Sequence, residues 1–267
     1  MNFLFDNKKY NKLAVDNHSF YIKAKPFPSI QFKNFINKKT VTQLYKDFPK
    51  YNNKIWINHK KTGKNLNTLK KVAHDERIYP DSIRNIFREL NSKQFLLFLE
   101  TLTGIHNLIS DPYHIGGGMH ISKKGGYLNI HSDFLWHHKL QLHRRVNVLI
   151  YLTPNWKKEY KGALELWNKN KTKKINEYYP DFGSCVIFNT NTTSYHGHPI
   201  PLPKDNMFRR VINLYYYTSA RKKSEIYNPT FTNYGIIKKS KLKKSLFQTK
   251  NSFFSEEILN NYKKDAK

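Results

Sequence analysis

His131 and Asp133 are the residues whose types and spacing point first to chemistry, in the stretch Gly125-Gly126-Tyr127-Leu128-Asn129-Ile130-His131-Ser132-Asp133-Phe134. Tyr127, Asn129, His131 and Asp133 alternate with Leu128, Ile130, Ser132 and Phe134, which predicts a strand, and strand side chains repeat every two residues. The imidazole of His131 and the carboxylate of Asp133 then face the same way. A second imidazole would complete a two-histidine, one-carboxylate set, which grips Fe(II) from one side and leaves the opposite positions open. A His-x-Asp pair alone is a weak signal in a chain with 12 histidines, and a surface hydrogen-bonded pair reads the same. The distal context adds to it. Asp181 to Asn189 reads as a turn and a buried strand, Ser194-Tyr195-His196-Gly197-His198-Pro199 follows, and Phe208-Arg209-Arg210-Val211 opens a second apolar strand on two cations.

Set in these strands, His131-x-Asp133, His196 and Arg209 resemble the Fe(II)- and 2-oxoglutarate-dependent oxygenases, in their prolyl 4-hydroxylase-like branch. The similarity spans roughly Phe27 to Ala220. Asn147-Val148-Leu149-Ile150-Tyr151-Leu152-Thr153-x-x-Trp156 is similar to the family's strand ending in Tyr-Leu-Asn and a tryptophan, and Gly162-Ala163-Leu164-Glu165-Leu166-Trp167 to its Gly-Gly-x-Leu strand. Thr153 departs from the usual Asn and Ala163 from the second Gly, which touches loop geometry and no metal ligand.

The resemblance implies His131, Asp133 and His196 as catalytic metal ligands, with Tyr195-His196-Gly197 fitting the family's histidine position. His198 shares a strand face with His196 and is the competing third ligand; His137, His138 and His143 are further competitors. For the cosubstrate it implies a basic residue at the start of the last strand, and a guanidinium suits a carboxylate because its planar fork can donate two hydrogen bonds. Arg209 and Arg210 are neighbours, so only one faces inward; the aromatic triplet Tyr215-Tyr216-Tyr217 favours Arg209. Tyr151 corresponds to a tyrosine holding the same carboxylate, and Asn213 is a further candidate there; either also reads as a core polar group. The implied reaction is Fe(II)-dependent hydroxylation of a C–H bond in a prolyl residue or a related peptidyl or small-molecule substrate. 2-Oxoglutarate and O2 are consumed and succinate and CO2 released, with ascorbate a further candidate cofactor. Trp136, Trp156, Trp167 and Tyr127 are candidates for the entrance.

The elements that position these groups follow from period and punctuation. From Gly116 the pattern has period two, with strands expected near 118–122, 126–133, 145–153, 162–167, 174–179, 184–190, 194–198 and 208–217. Eight such strands suit a mainly β fold with flanking helices, a double-stranded β-helix (jelly-roll, cupin-like) core whose inner space holds the site. Arg145, Asn147, Leu149 and Tyr151 share the face expected to line the interior. Upstream, a strand at Phe27 to Phe32 precedes a helix carrying Val41, Leu44, Tyr45 and Phe48. Pro80-Asp81 and Ser92 start two more, and Gly104 ends the last. Asn52 to Lys71 reads as a basic loop. The expected organisation is an irregular lead-in at 1–25, a single domain at 26–220 with helical support at 38–104 and a jelly-roll core at 116–220, and a basic tail at 221–267 with a short helix at Ser255 to Tyr262.

Across 267 residues, 39% hydrophobic and 15% aromatic residues suffice for a sizeable core, which excludes global disorder. A formal net charge of +28 would also suit nucleic acid or another polyanion, with Lys238 to Lys244 the densest run. The lysines are otherwise scattered among Asn, Ile and Tyr. The alternative function is thus a non-catalytic basic jelly-roll protein whose salt-sensitive nucleic-acid binding survives loss of the metal ligands. An iron or zinc cupin-like isomerase or dioxygenase would have no need of Arg209. A single cysteine, Cys185, excludes an intrachain disulfide and a cysteine zinc site. No stretch approaches a membrane span and the first residues lack a signal-peptide core, so a cytoplasmic location without membrane is expected.

Overall fold

The period-two segment from Gly116 onward folds into two antiparallel sheets that share an apolar interior. The structure, a computed structural model, describes residues 6–58, 69–221 and 233–234. Among these, the strands are β1 (Ser29–Phe32), β2 (Ile57–Asn58), β3 (Lys70–Ala73), β4 (Ile109–Ser110), β5 (Gly118–Ser122), β6 (Leu128–Ser132) and β7 (Trp136–His137), followed by β8 (Leu142–Tyr151), β9 (Leu164–Trp167), β10 (Lys174–Tyr178), β11 (Cys185–Asn189), β12 (His196–His198), β13 (Arg209–Thr218) and β14 (Asn233–Tyr234). The larger sheet runs β1-β11-β8-β13-β5-β3-β2, with β4 on β13 and β7 on β8; the smaller runs β10-β9-β12-β6-β14. Leu149, Tyr151, Val186, Phe188 and Val211 of the larger sheet pack with Leu164 and Leu166 of the smaller, the face-to-face arrangement of a jelly roll.

Among the described residues, four α-helices cover the outer face of the larger sheet: α1 (Asn7–Lys23), α2 (Lys38–Asp47), α3 (Asp81–Leu90) and α4 (Lys93–Thr103). Ile83, Ile86, Phe87 and Leu90 form the buried stripe of α3. Ser92 caps α4 by accepting from the Phe95 N–H, and Gly104 closes it with φ +68°, the left-handed conformation that costs glycine least. These helices bury their apolar faces in one core with Val146, Val148, Ile150 and Ile212 from the back of the sheet. Among the described residues no helix is long and apolar enough to cross a membrane.

Three expectations need correction. The lead-in is not irregular, because Asn7–Lys23 is a helix capped by Asp6. Its buried face is only Tyr10, Ala14 and Tyr21, a stripe too thin to stand out in a polar sequence, with Tyr10 donating to the Phe35 carbonyl and Tyr21 to Asn189 Oδ1. The segment 52–71 supplies β2 and the first residues of β3. In β8 the inward residue is Arg144 rather than Arg145: Tyr216 pairs with Val146 and Tyr217 with Arg144, so Arg145 is skipped. Such a bulge reverses the alternation beyond it. Beyond residue 220, Asn233–Tyr234 pairs with the edge of β6; the basic run 238–244 and the helix expected at 255–262 lie outside the described residues.

Candidate active site

His131 on β6 and His196 on β12 are direct cross-strand partners, which brings their ring centroids to 4.5 Å. Asp133 follows two residues after His131 and reaches back between them, with Oδ1 3.5 Å from His131 Nε2 and Oδ2 3.5 Å from His196 Nε2. Potential ligand atoms of the three side chains lie within 4.8 Å of one another. Each imidazole is oriented by the carbonyl two residues earlier: His131 Nδ1 donates to Asn129 at 2.7 Å and His196 Nδ1 to Ser194 at 2.9 Å. A carbonyl only accepts, so each Nδ1 carries a proton and each Nε2 is the nitrogen turned toward the carboxylate. Gly197 makes this register accessible, since a Cβ there would stand 2.7 Å from the carbonyl oxygens of both Leu128 and Asn129.

Asp133 is itself held from behind. Arg144 Nη2 donates to its Oδ2 at 2.9 Å and Asn147 Nδ2 to the same oxygen at 2.7 Å, so both hydrogen bonds converge on one oxygen and Oδ1 is left toward His131. Arg144 also donates through Nε to Asn147 Oδ1 and lies 3.4 Å over the Tyr215 ring. Burial by itself would raise the Asp133 carboxyl, but Arg144, and after it His196 and His131, outweigh burial and hold it well below the usual carboxylate range. Burial pushes His196 down to about 4, so its imidazole is neutral and able to ligate at neutral pH.

A cavity of about 570 Å³ opens on this trio and extends to Arg209 at the start of β13. Arg209 donates from Nε to the Gly162 carbonyl at 2.9 Å and from Nη2 to the Tyr151 hydroxyl at 3.2 Å. Its fork is thereby fixed, and Nη1 makes no hydrogen bond among the described residues. Gly162, at φ +71°, is where β9 approaches the guanidinium, and a Cβ would meet Leu202 at 2.8 Å. Thr153 fixes the start of β13 by donating to the Phe208 carbonyl at 2.6 Å and accepting from the Arg210 N–H at 3.0 Å.

A family model described as the 2OG-Fe(II) oxygenase superfamily matches residues 117–217, the span that contains His131, Asp133, His196 and Arg209. Residues 117–217 are a 2OG-Fe(II) oxygenase domain. The oxygenase is an Fe(II)- and 2-oxoglutarate-dependent dioxygenase. No curated protein matches the chain. Its fold is that of several solved enzymes. One is a prolyl hydroxylase from Trichoplax adhaerens in complex with a hypoxia inducible factor peptide fragment (TM-score 0.56, 18% identity, 79% of this chain and 91% of that one). A prolyl 4-hydroxylase from Phytophthora capsici follows (0.56, 15%, 85% and 72%), with one from Pseudomonas putida (0.53, 14%, 79% and 100%).

Among the other residues expected at the oxygenase site, Arg210 turns outward, its guanidinium 5.1 Å from the Tyr45 ring. Asn213 shares the inner face with Arg209 four residues further along β13, but its Nδ2 donates to His120 Nδ1 rather than reaching Arg209. His198 and His138 line the cavity. His137 donates to Asp111 at 3.2 Å, and His143 packs edge-on against Trp136. Trp136, Trp156, Trp167 and Tyr127 are absent from the described cavity wall, whose aromatic residues are Phe134, Phe188 and Tyr215. Sequence reasoning missed Arg144 because only the bulge turns it inward. It passed over Lys70 because that residue sits in a stretch resembling a loop.

Proposed function

We propose that His131, Asp133 and His196 hold the Fe(II) ion, that Arg209 with Tyr151 receives the distal carboxylate of 2-oxoglutarate, and that the enzyme hydroxylates a C–H bond of a prolyl residue in a peptide or of a related small molecule. The observation that carries this reading is the convergence of two pre-oriented imidazoles and a carboxylate on one wall of a cavity whose far end holds an anchored guanidinium. The peptidyl substrate is supported by the fold shared with prolyl hydroxylases, one of them in complex with a peptide fragment. Bound iron and 2-oxoglutarate would supply the oxidising chemistry, turning 2-oxoglutarate and O2 into succinate and CO2 as one oxygen atom enters the substrate.

The protein's own share is positioning and shielding. Asn129 and Ser194 hold the Nδ1–H groups of the two imidazoles and so present each Nε2 to the metal position. Arg144 and Asn147 keep Asp133 ionised and aimed. Tyr151 and Gly162 present the Arg209 fork to a carboxylate. Phe188, 4.7 Å from the His196 ring, keeps the metal side of the cavity apolar.

The test is succinate formation from 2-oxoglutarate with added Fe(II), followed by a peptide-array screen scored by gain of one oxygen. Asp133→Ala is expected to abolish iron-dependent succinate formation. Full turnover in Asp133→Ala would refute the ligand assignment, and oxygen gain only on peptides lacking proline would refute the prolyl substrate.

A further inference from the structure

Beside Arg209 the cavity carries a second cation that the mechanism above does not use. Lys70 on β3 pairs with Ser122 on β5, and Ser122 pairs with Arg209 on β13. Directly opposed residues in adjacent strands face the same way, about 4.8 Å apart per strand. The three side chains therefore form one lateral row on the inner face, with the small, buried Ser122 hydroxyl between an ammonium and a guanidinium. Both cations are long enough to converge over that serine.

Nothing in the cavity wall balances them. Asp133 is the one carboxylate among the described lining residues, and Arg144 already pairs with it. Lys70 is half-buried and makes no hydrogen bond or ion pair among the described residues. Burial first, and Arg209 second, push its ammonium down to about 8 against the pull of Asp133. A like-charge pair at one end of a pocket is costly without an anion and is relieved by one. A carboxylate between Lys70 and Arg209 would accept from the ammonium on one side and the guanidinium on the other.

We infer that Lys70 is a second cation of the cosubstrate subsite, gripping the distal carboxylate of 2-oxoglutarate together with Arg209 across Ser122. The inference rests on the assignment of Arg209 to that carboxylate. It makes β3, outside the matched span 117–217, part of cosubstrate recognition.

The test is calorimetric binding to the full chain loaded with Mn(II) without O2, using 2-oxoglutarate and 2-oxovalerate, which has the same chelating head but no distal carboxylate. Lys70→Met is expected to weaken 2-oxoglutarate about ten- to hundredfold, the range of one hydrogen bond to a charged group. It leaves 2-oxovalerate unchanged, and Lys70→Arg recovers most of the loss. Unaltered Mn(II) affinity in each variant verifies that the site has folded. Equal losses for both acids, or no loss for either, overturn the role of Lys70. If Arg209→Met loses 2-oxoglutarate while Lys70→Met binds like the parent, the inference fails and the assignment of Arg209 stands. A parent protein that binds 2-oxoglutarate no better than 2-oxovalerate removes both.

Discussion

Replacing Arg144 with methionine tests whether the site is held together from behind. Arg144 is fully buried, donates to Asp133 and Asn147, and lies flat over Tyr215 with Phe134 at 4.6 Å. Methionine retains much of the packing volume and removes the charge. The carboxylate of Asp133 would then be buried beside Asn147 and the two imidazoles without its guanidinium in metal-free protein. Breaking a buried pair from one side costs about 3–5 kcal/mol. At about 2–4 °C per kcal/mol for a domain of this size, metal-free Arg144→Met should melt roughly 6–20 °C below the parent. Saturating Mn(II) supplies a positive charge to the same carboxylate, so the gap should narrow when both proteins are loaded. Denaturant unfolding with and without Mn(II) measures both quantities, and in an Asp133→Asn background most of the cost of Arg144→Met should vanish. A metal-free loss below about 1 kcal/mol, or a loss of the same size whether or not the Asp133→Asn change is present, would refute the argument.

Arg209→Met should raise the KM for 2-oxoglutarate about ten- to hundredfold, the weight of a charge-assisted contact, with a much smaller change in kcat at saturation; steady-state succinate assays read the split, and an unchanged KM would contradict the assignment. Gly197→Ala places a methyl group against two backbone carbonyls and should cost about 1–3 kcal/mol together with Mn(II) affinity, seen by unfolding and metal titration; parent-like behaviour would show that β12 can shift freely. In metal-free protein His196 accepts a proton near pH 4 when folded and near about 6.5 when unfolded. Between these values the unfolded state binds more protons, so stability falls as pH drops through that window, by up to about 3 kcal/mol. Denaturation of the parent and His196→Gln across pH 4–7 checks it: the variant should show a shallower fall.

Much of the architecture was legible because its signals are local. Period-two alternation, the Ser92 cap and the Gly104 stop each depend on a few neighbouring residues, and the strands and helices lie where those signals fall. The meeting of His131 with His196 is different: 65 positions separate them in the chain, and it was reached through a resemblance rather than from either segment alone. What stayed hidden depends on pairing. The bulge that skips Arg145 and turns Arg144 inward is a property of β8 against β13, and no composition rule marks it. Lys70 looks like one more lysine in a basic stretch until β3 is laid beside β5. Helix α1 escaped notice because three buried residues in 17 leave almost no apolar stripe.

The two backbone carbonyls that fix the imidazoles have a consequence for which ion the enzyme carries. With both Nε2 atoms already turned inward, capture of a divalent ion at the proposed site would demand little rearrangement, and the polypeptide would exert little geometric veto. Intrinsic affinities for nitrogen and oxygen donors rise from manganese through iron to nickel and copper, and a cradle this receptive follows that order. Occupancy by iron is then a matter of cellular supply, and nickel or copper in excess would act as a poison, displacing the working ion and leaving the fold intact.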